Sequence, residues 1–154
     1  MTQHTLYIIA LLTISFTGCE PAANSPSPDV GLPSGSSALR VIPAAQLPAG
    51  ISRGWRYQTA AGQTGWQFDV PSRSKSANFP VRVRVESDQI ISLRALNYNS
   101  THGRAAARTP YTDLFTGRTK TALPVDAITG ATSTSNAVNR AAQKALFAAA
   151  KLKQ

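Results

Sequence analysis

An alanine-rich segment near the end of the chain, residues 136–151, contains no Gly or Pro. Apolar residues recur in it at helical spacing, at Val138, Ala142, Ala145 and Ala149. We therefore predict a long helix here. Because its apolar positions are mostly small, this helix can pack closely on a sheet, and the rest of the chain has to supply that sheet.

A loop of small and hydroxyl-bearing residues, from Asp126 to Ser135, leads into this helix. The unpaired backbone N–H groups and the positive dipole end of a helix N-terminus favour an anion, phosphate above all. Thr132 stands at the mouth of that site, with only small residues immediately before it. The alternative is an ordinary polar helix cap, but a cap needs one hydroxyl and this stretch presents an ordered set of them.

The pattern Asp-x-x-Ser/Thr-Gly-Ala-Thr at residues 126–132 resembles the flavinylation motif of the FMN-binding domain family. That family includes the extracytoplasmic flavin subunits of sodium-pumping quinone reductases and related electron-transfer complexes. The resemblance implies that a dedicated flavin transferase joins FMN covalently, through a phosphoester, to the hydroxyl of Thr132. It continues through residues 134–138, which look like the family's first helical turns, and covers about the last half of the chain.

The resemblance also implies roles for the residues around Thr132. Six of them are expected to contact the phosphate, cap the helix or leave room for the transferase: Thr129, Gly130, Ala131, Ser133, Thr134 and Ser135. Asp126 is expected to be part of the motif that the flavin transferase recognises, and its alternative role is to form an Asx turn. The family has a second loop against the flavin, where this chain keeps Thr101 and Gly103 but has Ser100 in place of an acid. His102 in that loop is either a proton donor to the flavin or a solvent-exposed histidine.

Alternating apolar and polar residues predict two β-hairpins, one from segments 55–58 and 66–70, the other from segments 81–85 and 90–96. The second hairpin resembles the core pair of strands in the family. Residues 110–117 predict a short helix ended by a glycine. The predicted fold class is α+β, a small antiparallel sheet of two hairpins packed against the C-terminal helix, with the flavin attachment loop at that helix's N-terminus.

Three further predictions concern the arginines, a loop and the tryptophans of the predicted sheet. Arg82 and Arg84 alternate with valines, which predicts a cationic stripe facing solvent, or alternatively a docking surface for an acidic partner. Residues 71–78 are basic and rich in serine and predict a loop. Trp55 and Trp66 are predicted to be core or cross-strand residues, with stacking on a flavin as the alternative.

The beginning of the chain predicts export. Residues 1–18 contain no Lys, Arg, Asp or Glu, and their apolar stretch is too short for a hydrocarbon core of about 30 Å but suits a secretory signal. The tetrapeptide Phe-Thr-Gly-Cys that ends at Cys19 resembles the lipobox of bacterial lipoproteins, in which the cysteine carries a diacylglycerol. Cys19 is the only cysteine, so no intramolecular disulfide competes for it. The alternative is a free, buried thiol.

These segments give a predicted domain organisation: a lipoprotein signal peptide at residues 1–18, a flexible Pro- and Ser-rich tether at 19–38, and an FMN-binding domain at 39–154. The expected location is the bacterial cell envelope, with the lipid anchor in a membrane and the domain facing the periplasm or the exterior.

The chain is basic, with a formal net charge of +9. Such a charge can attract nucleic acid, an anionic membrane or an acidic protein, but the cations are scattered and no aromatic row accompanies them, so nucleic acid is not expected. No second His or Cys lies near His102 at ligand spacing, so no metal site is expected either.

The sequence contains no nucleophile–base pair that would indicate substrate turnover, so an electron carrier fits better than a self-sufficient enzyme. The expected partners are the flavin transferase and either a membrane redox partner or an acidic electron-transfer protein. The alternative function is that of a non-redox basic envelope lipoprotein that binds an anionic polymer or another protein.

Overall fold

The computed structural model of the chain describes residue 32 and residues 34–154. The predicted signal peptide, the predicted lipid anchor Cys19 and most of the predicted tether lie outside the described residues. Of the helices in the described part, none combines the length and the hydrophobicity that crossing a bilayer requires.

Five strands form one antiparallel sheet whose spatial order follows the chain. They are β1 (Arg40–Val41), β2 (Arg53–Gln58), β3 (Thr64–Arg73), β4 (Asn78–Glu86) and β5 (Gln89–Ala95). The pairs β2–β3 and β4–β5 are the two predicted hairpins, and the long β3–β4 pairing joins them at the centre. This arrangement explains why apolar and polar residues alternate along the strands, since neighbouring residues point to opposite faces of the sheet.

One helix, α1 (Thr132–Leu152), covers one face of this sheet. The other helical segments among the described residues are short 3₁₀ turns at Ala44–Gln46, Arg104–Ala107, Thr112–Phe115 and Lys120–Ala122. The third of them is the predicted short helix, which is one 3₁₀ turn followed by Gly117 at φ 78°. The segment between β5 and α1 carries three of these turns and lies along the edge of the sheet and the start of the helix.

The core lies between α1 and the sheet. Its sheet side is formed by Phe68, Val70, Val81 and Val83, all fully buried, and its helix side is formed mainly by alanines. Because an alanine adds almost nothing to the width of the helix, α1 can approach the strands closely. The predicted fold class, an α+β arrangement of an antiparallel sheet against a C-terminal helix, is confirmed.

The opposite face of the sheet corrects one prediction. Arg82 and Arg84 do not form a solvent-facing stripe, since only 8% and 4% of their surfaces are exposed. The strand register sets Asp69 opposite Arg82 and Gln67 opposite Arg84. Arg82 donates two hydrogen bonds to the Asp69 carboxylate, from Nε at 2.8 Å and from Nη2 at 3.0 Å, and Arg84 Nε donates to Gln67 Oε1 at 2.7 Å. The cross-strand polar partners allow these cations to be buried.

Trp55 lies on the same face of the sheet, next to these charged residues. The Asp69 carboxylate binds a second cation, Arg53, at 3.0 Å. The guanidinium carbons of Arg53 and Arg82 lie 5.8 and 5.5 Å from the centre of the Trp55 ring. Trp55 is therefore a buried cross-strand residue with cation–π partners, and Trp66 lies in the core on the other face.

The predicted loop at residues 71–78 is shorter than expected. Strand β3 continues to Arg73 and β4 begins at Asn78, with Pro71 opposite Pro80 in the ladder. Only residues 74–77 form the turn, which the Ser74 hydroxyl closes by bonding to Ala77. Hydrophobic alternation breaks down after Val70, and this is why the sequence pattern ended the strand too early.

Candidate functional site

The chain reverses direction immediately before α1 in a β-turn from Ile128 to Ala131. The Ala131 N–H donates to the Ile128 carbonyl oxygen at 2.9 Å, and Gly130 adopts φ 79° at the third position. That backbone angle favours glycine. A Cβ atom added to Gly130 would meet nothing within 4 Å, so the space in front of the turn is open.

Thr132 is the first residue of α1 and is exposed. Its predecessor Ala131 occupies the N-cap position, and no side chain of the described residues caps the helix. The Ala131 carbonyl oxygen accepts the N–H groups of Thr134 and Ser135, at 3.0 and 2.9 Å. The two N–H groups before these, on Thr132 and Ser133, have no backbone acceptor in the described part of the chain. The helix start therefore offers an exposed hydroxyl beside unpaired donors, the arrangement that binds a phosphate.

The other hydroxyls of the first helical turn are already engaged by the protein. Ser133 Oγ accepts the Lys75 N–H at 2.8 Å. Thr134 Oγ1 lies 3.1 Å from the Tyr98 hydroxyl, and Thr134 is buried. Ser135 Oγ accepts the Ile128 N–H at 3.1 Å and donates to the Ala131 carbonyl oxygen at 3.2 Å. The pattern of hydroxyls in the sequence did not distinguish these structural residues from the exposed Thr132.

Asn139 holds the loop in place, and sequence reasoning missed it. Its Oδ1 accepts the Val125 N–H at 2.8 Å, and its Nδ2 donates to the Val125 carbonyl oxygen at 2.9 Å. The same Nδ2 also lies 3.1 Å from the Ser135 carbonyl oxygen and 3.3 Å from the Tyr111 hydroxyl. The available signal was an amide side chain on the apolar face of the predicted helix, directly after Val138.

The second predicted loop packs against the same helical turn. Gly103 has φ 76°, and a Cβ atom on it would lie 2.1 Å from Thr134 Oγ1. The Tyr98 hydroxyl donates to the His102 carbonyl oxygen and also lies 3.1 Å from Thr134 Oγ1, so it links the loop to the helix start. The structure therefore brings Gly103 next to the attachment loop. Thr101 and His102 are exposed, with the His102 Nδ1 atom 3.4 Å from Thr101 Oγ1.

Asp126 and Thr129 lie exposed on the outer side of the attachment loop. Neither side chain has a hydrogen-bond partner among the described residues, and no Asx turn forms at Asp126. Both side chains are thus accessible to another protein that approaches the loop.

A mostly apolar cavity of about 250 Å³ lies beside the attachment loop, with Ile128 as one wall. Its other walls come from the segment after β5: Ala105, Thr109, Pro110, Tyr111 and Leu114. The peptide bond before Pro110 is cis. Since the Ile128 N–H is bonded to Ser135 in the first turn of α1, the cavity is fixed relative to the helix start.

Cations flank α1 on the side of β3. A polar cavity of about 220 Å³ is lined there by Arg73, Arg140 and Lys144, with no carboxylate among its walls. Arg140 Nη2 donates to the Arg73 carbonyl oxygen at 3.4 Å. At about 1.5 Å per residue, Arg140 lies roughly 12 Å along the helix from Thr132. It is too distant to contact a phosphate on Thr132 and instead makes the surrounding surface positive.

No group of three His, Cys, Asp or Glu residues close enough to hold a metal ion occurs among the described residues.

Comparison with known proteins identifies one family. The family model of the FMN-binding domain matches residues 75–147. That span begins at the β3–β4 turn and runs into α1, so it contains both loops and all six cavity walls named above. A search of curated proteins and a search of solved structures each gave no match. Residues 75–147, a little under half of the chain, therefore match an FMN-binding domain.

Proposed function

We propose that this protein is an extracytoplasmic electron-transfer flavoprotein that carries FMN as a phosphoester on the Thr132 hydroxyl. One observation carries the proposal: the Thr132 hydroxyl is exposed at an uncapped helix start, while the hydroxyls of the next three residues are bonded to the protein. The family match supports the identity of the cofactor.

The residues at the site fit both halves of FMN. The N–H groups of Thr132 and Ser133 and the dipole of α1 would hold the phosphate. The apolar cavity beside Ile128 would take part of the isoalloxazine ring and exclude water from it. When bound, FMN supplies one- and two-electron transfer, and the hydrogen bonds and dielectric around it set its potential.

Attachment requires an activated flavin nucleotide whose phosphate carries a leaving group. The Thr132 oxygen forms the new bond to phosphorus, the bond to the leaving group breaks, and the hydroxyl proton is lost. Gly130 leaves free space beside the loop, since a Cβ atom at that position would meet no atom within 4 Å other than those of its chain neighbours. The exposed Asp126 and Thr129 are available for recognition by the flavin transferase.

The proposed setting is the cell envelope, with a lipid on Cys19 as membrane anchor. A covalent cofactor suits that setting because a dissociated flavin would be diluted and lost outside the cytoplasm. The cations beside α1 suit a membrane redox partner or an acidic electron-transfer protein. The same cations favour the alternative, a non-redox basic lipoprotein that binds an anionic polymer or protein.

Co-expression with an active flavin transferase tests the attachment. The wild-type protein should run as a fluorescent band on a denaturing gel, and its intact mass should increase by one FMN less one water. Thr132→Val should abolish both signals, because the accepting oxygen is gone, and Thr132→Ser should retain part of them.

Ser133→Ala is the matched control, since it removes the adjacent hydroxyl but leaves Thr132 in place. An unmodified wild type in the presence of active transferase would refute the electron-carrier proposal and favour the alternative. The anchor is tested separately: Cys19→Ser should release the protein from membranes, and continued membrane association would refute lipidation.

A further inference from the structure

We infer that the side-chain ammonium group of Lys75 holds the phosphate of the FMN on Thr132, an inference that rests on the proposed function. A phosphate that is esterified to Thr132 and to the flavin side chain keeps one negative charge. Residues 126–139, which form the attachment loop and the first turns of α1, contain no Lys or Arg. A side-chain cation for this charge therefore has to come from another part of the fold.

The turn between β3 and β4 brings Lys75 to the helix start. The Lys75 N–H donates to Ser133 Oγ at 2.8 Å, across 58 positions of sequence. Ser133 directly follows Thr132, and consecutive Cα atoms are about 3.8 Å apart. At about 1.5 Å per bond, the four methylene groups of a lysine give its ammonium group a reach of about 6 Å from the Cα atom. Because Lys75 is exposed, its side chain can extend to a phosphate on the Thr132 hydroxyl.

The turn that carries Lys75 is held by its own hydrogen bonds. The Ser74 N–H donates to the Ala77 carbonyl oxygen at 2.9 Å. Ser74 Oγ accepts the N–H groups of Ser76 and Ala77 at 3.3 and 3.1 Å, and Ser74 is buried. The backbone of Lys75 is thus fixed relative to α1, and only side-chain rotations are needed for its ammonium group to reach the phosphate. A site that is arranged in advance in this way loses little entropy on binding.

The other cations near the helix start are held elsewhere. Arg104 Nε donates to the Ser100 carbonyl oxygen at 3.4 Å, within its own loop. Arg73 and Arg140 line the polar cavity beside β3, where Arg140 Nη2 donates to the Arg73 carbonyl oxygen. Lys75 makes no ion pair in the described part of the chain. Of these four cations, Lys75 alone is bonded through its backbone to the first turn of α1.

The chemistry of the side chain suits this role. An ammonium group is a compact charge with three donors, and it binds a phosphate oxygen without a fixed orientation. The N–H groups of Thr132 and Ser133 would bind the phosphate from the helix, and Lys75 would bind it from the β3–β4 turn. Lys75 takes no part in the bond changes of attachment. It stabilises the negative charge on the phosphate during attachment and afterwards.

The rate of flavin attachment tests the inference, followed by intact mass with purified transferase and an activated flavin nucleotide at low ionic strength. Lys75→Gln should lower kcat/KM for the acceptor protein about threefold to tenfold, because an exposed charged donor is lost. Lys75→Arg should keep most of the rate. The loss in Lys75→Gln should shrink in about 1 M salt, where the screening length is about 3 Å. Its melting temperature should stay unchanged, since the backbone N–H that bonds Ser133 remains.

Acetylation of lysines, quantified by peptide mass spectrometry, tests the contact itself. Wild-type protein that bears flavin is compared with unmodified Thr132→Val protein, both treated with the N-hydroxysuccinimide ester of acetic acid. Lys75 should react about threefold or more slowly in the flavin-bearing protein, because the phosphate favours the charged, unreactive ammonium form. Lys120 is the matched control, since it is exposed and lines the cavity beside Phe147, which is roughly 22 Å along α1 from Thr132. It should react equally in both proteins, and Lys120→Gln should attach flavin at the wild-type rate.

The outcomes separate this inference from the proposed function. Equal attachment rates for wild type and Lys75→Gln, or equal acetylation of Lys75 in the two proteins, would overturn the inference and leave flavin attachment standing. An equal loss of rate in Lys120→Gln would also overturn it, because the effect would then be one of general charge. The same holds for a loss in Lys75→Arg as large as that in Lys75→Gln. A wild-type protein that gains no flavin would overturn both proposals.

Discussion

The face of the sheet opposite α1 and the loop before α1 both bury polar groups, but these groups find their hydrogen-bond partners in different ways. On the sheet, side chains bond to side chains across neighbouring strands, as Arg82 does to Asp69. At the loop, side chains from α1 bond to backbone, as Asn139 does to Val125 and Ser135 does to Ile128. A ladder already pairs the backbone of a strand, whereas an irregular loop needs other partners for its N–H and C=O groups.

The difference separates residues that stabilise the fold from residues that position the site. Loss of a cross-strand pair removes stability but leaves the strands in register, because the ladder remains. Loss of an amide that holds the loop frees the backbone just before Thr132, where the proposed cofactor would be attached. Variants in the two regions should therefore differ in which measurement they change.

The largest effect is expected at Asp69. Asp69→Asn removes the buried carboxylate that binds Arg82 and Arg53 and should lower the free energy of unfolding by about 3–5 kcal/mol. Chemical denaturation measures this loss. The matched control is Asp88→Asn, which breaks the exposed pair with Lys153 at 2.6 Å and should change stability by less than about 1 kcal/mol. Equal losses in the two variants would contradict the distinction between the buried and the exposed pair.

Asn139 should give a smaller loss of stability but a specific change at the loop. Asn139→Ala leaves the N–H and C=O groups of Val125 without their partner and should cost about 2–4 kcal/mol. Hydrogen exchange in residues 124–131 should accelerate, and the yield of flavin-bearing protein should fall more than the yield of folded protein. Gln143→Ala, on the exposed side of the same helix, is the control and should change neither measurement. A uniform increase in exchange across the sheet would show that Asn139 acts on the whole fold.

The two regions also differ in how far the sequence predicts them. The alternation of apolar and polar residues predicted both hairpins, and the alanine-rich segment without Gly or Pro predicted α1. Each of these patterns repeats along a single strand or helix, so it can be read from the sequence alone. Arg82 was predicted wrongly because its burial depends on Asp69, thirteen residues away, and only the strand register brings the two together. The role of Asn139 could not be predicted because its partner is the backbone of Val125, which carries no sequence signal. The motif predicted the position of Thr132 at the start of α1, whereas its assignment as the flavin attachment residue stays a prediction.

The smallest change in stability is expected at Tyr57. This residue tests whether the stability contributed by the face of the sheet opposite α1 depends on pH. Its hydroxyl donates to Glu86 Oε1 at 2.6 Å. Burial raises the pKa of Tyr57 well above its ordinary value near 10, and the hydrogen bond to Glu86 and the charge of Glu86 raise it further. The unfolded chain therefore releases this proton at a lower pH than the folded chain does. The stability that Tyr57 contributes is complete below about pH 10 and is lost as the pH rises above it.

Tyr57→Phe removes both the hydrogen bond and this pH dependence. At neutral pH the variant should be less stable than the wild type by about 1 kcal/mol, because Glu86 loses its donor. Denaturant unfolding at a series of pH values should show this difference shrinking above about pH 10, since only the wild type gains stability in its unfolded state by ionising the phenol. A difference that stays constant from about pH 8 to about pH 11 would mean that the phenol ionises equally in both states. The Tyr57–Glu86 hydrogen bond would then add no pH dependence to this face of the sheet, whose other polar side chains stay bonded across the strands, as Arg82 is to Asp69 and Arg84 is to Gln67.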